Sequence, residues 1–191
     1  LEPPEFEGHW DPHVWGNPSL WSKCVETVVE GLSEADPAGK NYYINQGAKV
    51  EKAYKRVHNW GRKRIAELPK KQRILVTSHD AFNYFGKAFE FQVVAVQGLS
   101  TVTEAGLADI AKMVDFIKEK NLKAIFVESS VNPAAIQRIS KDANVKIGGE
   151  LFSDACGKPG DIHMSQGEEY DVGTFVGMVK HNINTIVEAL K

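Results

Sequence analysis

In the first third of the chain, apolar positions recur every three or four residues. Beyond Pro69 they collect into short runs separated by further helical stretches. Trp21, Cys24, Val25, Val28 and Leu32 keep helical spacing and predict an amphipathic helix over 18–32, with Asn17 as its N-cap and Pro18 at its first position. Residues 1–17, rich in Pro, Gly, Trp and His and without periodicity, form an ordered loop in this reading. A second stripe (Val50, Tyr54, Val57, Ile65, Leu68) runs opposite Lys49, Glu51, Lys55, Arg62 and Lys63 and predicts a long helix over 42–68, closed by Pro69. At about 1.5 Å per residue such a helix is nearly 40 Å long, enough to bridge two lobes.

Beyond Pro69 the pattern alternates. Apolar runs at 73–77, 91–96, 124–127 and 145–151 predict four strands, the last interrupted by Gly148-Gly149. Helical stretches fall at 82–88, along Leu107, Ile110, Val114 and Ile117, at 133–143, and along Val176, Val179, Ile183, Val187 and Leu190. Residues 157–169, with Gly157, Pro159, Gly160 and Gly167, are expected to be a polar loop. Apolar strands alternating with helices give an α/β fold class: a parallel four-stranded sheet with helices on both faces.

Composition narrows the classes. The 23 Lys and Arg against 25 Asp and Glu leave a net charge of −2, which argues against a nucleic-acid partner. No apolar run approaches the ~20 residues of a membrane-spanning helix. Two cysteines exclude a disulfide scaffold. Cys24 lies on an apolar helix stripe and is expected to be a buried free thiol; Cys156 is a soft ligand, a partner for Cys24, or inert. There is no Gly-rich phosphate loop after a strand and no GxSxG elbow.

In an open parallel sheet, ligands bind beyond the carboxyl ends of the strands. Those ends here carry Ser78-His79-Asp80, Gln97-Gly98-Leu99-Ser100-Thr101, Glu128-Ser129-Ser130 and Phe152-Ser153-Asp154. One rim thus gathers an imidazole, carboxylates and hydroxyls, a donor set suited to Zn, Mn or Fe. Each residue also has an ordinary structural reading: His79 as a helix cap, Asp154 as a turn carboxylate, Glu128 as a strand-end charge. In the functional reading Glu128 orients a metal-ligating side chain, with Ser153 in the same supporting role beside Asp154. In the loop, Pro12 stiffens the backbone before His13, which Val14 and Trp15 shelter.

Taken together, several stretches resemble the metal-binding lipoproteins of bacterial ABC importers for zinc and manganese, the TroA/PsaA-like family. They are Asp11-Pro12-His13-Val14-Trp15, Thr77-Ser78-His79-Asp80-Ala81-Phe82-Asn83-Tyr84-Phe85, Val96 to Thr101, Phe126 to Pro133, Gly148 to Ala155 and Val176 to Asn182. They run in the family's order along almost the whole chain. The resemblance implies two α/β lobes joined by a rigid long helix, with Zn2+ or Mn2+ held between them by His13, His79 and Asp154. A fourth ligand belongs to the family's first half, and His9, too close to His13, is not carried over as that ligand. The chain is therefore expected to be the family's C-terminal portion: residues 1–41 a remnant of the N-terminal lobe, 42–68 the inter-lobe helix, and 69–191 the C-terminal lobe. An apolar face left uncovered is expected to favour a dimer or a domain swap.

The function this implies is capture of a divalent transition metal and its delivery to an ABC permease, at the periplasm or the extracellular face of a bacterial membrane. Two other classes stand beside it. One is a metal-dependent hydrolase using Asp154 or Glu128 as general base, against which no nucleophile–base pair or second metal cluster is evident. The other is an adhesion module with a structural metal.

Overall fold

The computed structural model describes residues 1–2, 8–98 and 106–191. Leu99, Ser100 and Thr101, from the second strand end named above, lie outside the described residues. The N-terminal loop reaches a short 3-10 turn at Val14–Gly16. Asn17 then accepts hydrogen bonds from Ser19 N–H at 3.1 Å and Leu20 N–H at 3.3 Å, capping α1 (Pro18–Trp21). The helix expected over 18–32 is in fact two, α1 and α2 (Cys24–Ala35). At the break the Ser22 hydroxyl donates to the Ser19 carbonyl at 2.9 Å, and a hydroxyl that bonds the preceding turn in this way bends a helix.

The long helix α3 runs Lys40–Ile65, about 39 Å at 1.5 Å per residue. Its first half packs on α2 at Gly47, where a Cβ would meet Val29 Cγ2 at 2.4 Å. Its second half packs on the C-terminal helix at Gly61, where a Cβ would lie 2.5 Å from Ile183 Cδ1 and 3.1 Å from Phe89 Cε1. Both glycines serve close approach between elements.

Beyond Pro69 the order is β1 (Ile74–Thr77), α4 (Asn83–Phe89), β2 (Gln92–Ala95), α5 (Leu107–Lys120), β3 (Ala124–Glu128), α6 (Ala134–Ala143), β4 (Lys146–Leu151), β5 (Ile162–Ser165), β6 (Glu168–Asp171) and α7 (Phe175–Leu190). The α/β class holds, but the described ladders are two parallel pairs, β1·β2 and β3·β4, and not one four-stranded ladder. β1 lies beside β3. Just beyond β1 the His79 N–H donates to the Glu128 carboxylate at the end of β3.

The strands alternate their burial. Leu75 and Phe126 face one core with Val57, Ile65, Phe85, Phe89, Ile183 and Ile186. Val76 and Ile125 face the other with Met113, Ile117, Ile136 and Ile139. Helices therefore cover both faces. Each fully buried Ile or Phe contributes about 1.5–3 kcal/mol over an exposed one, so the two cores dominate stability.

Two expectations need correction. The polar loop over 157–169 contains a hairpin, β5·β6, antiparallel, with Ser165 opposite Glu168. Its turn residues Gln166 (φ 53) and Gly167 (φ 79) both take the left-handed conformation that tight hairpins need. Cys24 is only half-buried, and both cysteines are free, so Cys24 and Cys156 do not pair. Between α2 and α3 an apolar groove is lined by Trp21, Val25, Val28, Val50 and Tyr54. An apolar groove names no occupant by itself, and the expected dimer or domain swap finds no support in the structure.

Candidate metal centre

Three side chains distant in sequence meet at the carboxyl ends of β1 and β4. His13 comes from the N-terminal loop, His79 from the turn after β1, and Asp154 from the loop after β4. Asp154 Oδ1 lies 3.5 Å from His13 Nε2 and 3.5 Å from His79 Nε2. One donor atom from each residue falls within 4.8 Å of the others. A tetrahedron with a 3.5 Å edge has its centre about 2.1 Å from each corner, the length of a Zn–N or Zn–O bond. His79 Nε2 is buried and has no hydrogen-bond partner among the described residues. A buried nitrogen without a partner is costly unless something electrophilic occupies its lone pair.

Each imidazole is held from behind. Asp11 Oδ1 accepts from the His13 backbone N–H at 2.9 Å and lies 2.8 Å from His13 Nδ1. Burial opposes charge on Asp11, but the bonds from His13 outweigh it and hold the carboxyl below its usual range. An ionised Asp11 requires His13 to donate from Nδ1, which leaves the Nε2 lone pair facing Asp154. Glu128 does the same for His79. Its Oε1 accepts the His79 backbone N–H at 2.9 Å, and its Oε2 lies 2.6 Å from Nδ1, close but off the N–H axis, so that contact is mainly electrostatic. Burial pulls the His79 pKa down, yet the Glu128 and Asp154 carboxylates outweigh it, and the net direction is up from the ordinary 6.5.

Asp154 is the partly exposed member, its side chain 34% accessible against 5% for His13 and 1% for His79. Its Oδ2 accepts from Ser130 Oγ at 2.8 Å, and Ser130 Oγ also lies 2.8 Å from Ser153 Oγ. The Trp15 indole donates to the Ser153 carbonyl at 2.7 Å, tying the His13 loop to the Asp154 loop. Behind that loop, Asn182 of α7 bonds both the N–H and the carbonyl of Phe152, at 2.9 and 2.7 Å.

All five residues singled out from the sequence lie here: His13, His79 and Asp154 converge, Glu128 contacts His79, and Ser153 meets the Ser130 hydroxyl that bonds Asp154. Sequence reasoning did not assign Asp11 or Ser130. Asp11 carried a signal, since an acidic residue two before a histidine favours a local turn in which the carboxylate reaches the ring and the backbone N–H. Ser130 carried only its place at the end of the third strand, which does not tell it from Ser129.

The description "ZnuA: Zinc-uptake complex component A periplasmic" matches residues 2–189. The chain is 41% identical over 194 residues to the "Manganese-binding lipoprotein MntA" of Bacillus subtilis (strain 168), covering 98% of this chain and 60% of that protein. It is 38% identical over 189 residues to the "Zinc-binding protein TroA" of Treponema pallidum (strain Nichols), covering 96% of this chain and 58% of that one. Among solved structures, the periplasmic zinc-binding protein TroA from Treponema pallidum superposes with a TM-score of 0.88 at 38% identity, covering 96% of this chain and 65% of that chain. The chain thus spans about three fifths of the length of these curated relatives. With nearly every residue inside the match, the chain belongs to the ZnuA family of periplasmic zinc-uptake components.

Proposed function

We propose that this chain is the metal-capturing part of a solute-binding protein that takes up a divalent transition metal, zinc or manganese, and passes it to an ABC-type permease. The observation that carries the reading is Asp154 Oδ1 at 3.5 Å from two imidazole nitrogens, each imidazole backed by a buried carboxylate. His13 Nε2, His79 Nε2 and an Asp154 oxygen are the proposed ligands; Asp11 and Glu128 orient the rings, and Ser130 and Ser153 steady the carboxylate. Further coordination positions are taken by donors beyond these three side chains.

Capture suits this site better than hydrolysis. Glu128 is 2% exposed and committed to His79, so it cannot serve as a base toward a bound water. Asp154 is engaged by the ion and by Ser130, and its partial exposure makes its loop the element that moves for entry and release. Relatives named as manganese- and zinc-binding proteins support both metals as cargo. Two imidazoles lean toward zinc by the usual affinity order, while supply decides occupancy. Relatives named as lipoproteins support a place at the periplasm or the extracellular face of the membrane. Among the described residues no helix is long and apolar enough to cross a membrane.

The proposed organisation keeps residues 1–41 as part of one lobe, 42–68 as the stiff connecting helix and 69–191 as the second lobe, with β2-β1-β3-β4 as its strand order. The packing of α3 on α2 at one end and on α7 at the other supports this division. Equilibrium dialysis against buffered Zn2+ and Mn2+, read by elemental analysis, tests the metal reading. One equivalent is expected at this site, lost in His79→Gln and in Asp154→Asn. A stoichiometry unchanged from wild type in both folded variants overturns it.

A further inference from the structure

A second pair of imidazoles lies outside the centre just described, where the β5–β6 hairpin packs on α7. His163 Nδ1 of β5 is 3.1 Å from His181 Nδ1 of α7, with the rings edge to face at a centroid distance of 5.1 Å. The far nitrogen of His181 tells which ring donates. His181 Nε2 is 2.9 Å from the Glu150 carbonyl oxygen, which can only accept, so that nitrogen carries the proton. His181 Nδ1 is then an acceptor, and the 3.1 Å contact is a hydrogen bond from His163 Nδ1. His163 Nε2 lies 3.4 Å from a carboxylate oxygen of Asp161, which can take up the ring's proton when Nδ1 gives it up. One proton is thus all that lies between the two Nδ1 atoms, and a divalent ion can displace it.

We propose that His163 and His181 form a second transition-metal site, which binds a nitrogen-preferring divalent ion such as zinc through both Nδ1 atoms. Two ligands each about 2.0–2.1 Å from one ion sit roughly 3 Å apart, so little rearrangement is needed. Each ring already has the oxygen acceptor on its far nitrogen that metal-bound histidines usually have. Burial, the leading influence, and the neighbouring His163 push the His181 pKa below its ordinary 6.5, so the ring is neutral and ready to coordinate at neutral pH. Phe152 packs against His181 at 5.0 Å and Tyr170 lies 6.5 Å from His163, so one side of the pair is apolar. His163 is partly exposed, its side chain 36% accessible, which leaves a path for the ion and room for water to complete its coordination. Bound there, the ion clips the hairpin to α7. The site does not depend on the His13–His79–Asp154 reading, because it shares no residue with it.

The test is zinc stoichiometry of the full chain at pH 8, by equilibrium dialysis and elemental analysis, with manganese as the parallel probe. Wild type is expected to take up two equivalents of zinc. His163→Gln, on the exposed hairpin and so least disruptive, is expected to lose one, and His181→Gln the same one. His79→Gln is expected to lose the other and keep the one at the pair. Manganese, weak toward imidazole pairs, is expected to leave this site unfilled. In imidazole nitrogen NMR, zinc is expected to shift both Nδ1 resonances in wild type. A second equivalent that survives in folded His163→Gln overturns the proposal, as does a wild type saturating at one equivalent with unshifted Nδ1 signals. A proton shared by the rings that excess zinc fails to displace also overturns it.

Discussion

The most discriminating perturbation of the proposed centre is Glu128→Gln. The change keeps shape and an oxygen for the His79 N–H, 2.9 Å away, but removes the charge facing Nδ1 at 2.6 Å. Loss of a partner that orients a metal-ligating imidazole weakens binding by about 10–100-fold, equivalent to about 1.4–2.7 kcal/mol. The size of the loss is expected to depend on pH. In wild type the Glu128 and Asp154 carboxylates hold the His79 pKa above 6.5, so protons compete with the metal from above that pH downward. Without the Glu128 charge, His79 binds its proton less tightly and that competition eases. The full 10–100-fold deficit is therefore expected at about pH 8 and a smaller one at about pH 6. The assay is competition with a chelator of known affinity at both pH values, with a thermal melt of the metal-free protein to confirm folding. An unchanged affinity at pH 8, or a deficit that grows on acidification, refutes the argument that Glu128 acts by holding and charging His79.

Further outcomes follow from the same geometry. In metal-free wild type the raised His79 pKa contributes stability that is fully present below about 6.5 and fades as pH rises through the folded-state value, so the Tm gap to Glu128→Gln is expected to be wider at pH 6 than at pH 8.5. Asn182→Ala leaves the partly buried N–H and carbonyl of Phe152 without their 2.9 and 2.7 Å partners and is expected to cost about 1–3 kcal/mol in denaturant unfolding, and to loosen the Asp154 loop enough to speed metal release. Gly61→Ala sets a methyl 2.5 Å from Ile183 Cδ1 and is expected to cost about 1–3 kcal/mol by the same measurement, with metal stoichiometry unchanged. Ser130→Ala removes one 2.8 Å bond to a carboxylate that water also reaches, so affinity is expected to fall only about two- to fivefold in the chelator assay.

Periodicity along the chain locates eight of the helical and strand segments beyond Pro69, because an apolar residue every second or every third to fourth position is dictated by which face is buried. The strand-end rule places His79, Glu128, Ser153 and Asp154 on one rim from sequence alone. Three features were out of reach. The break at Ser22 depends on a side-chain bond to the Ser19 carbonyl that competes with a weak propensity. The β5–β6 hairpin was masked by its polar composition, since it packs only one side on α7 and needs no apolar alternation. That β1 and β3 lie side by side without a shared ladder is decided by packing between segments about 50 residues apart, which leaves no local trace in the sequence.

Local sequence therefore determined the elements and the kinds of donor at the rim, because backbone propensity and burial act over a few residues. Tertiary structure alone decided that His13 crosses to within 3.5 Å of Asp154, that Asp11 and Glu128 stand behind the two rings, and that His163 and His181 face each other. Those distances arise from packing between segments up to 141 positions apart in the chain, and no short window of sequence contains the energies that set them.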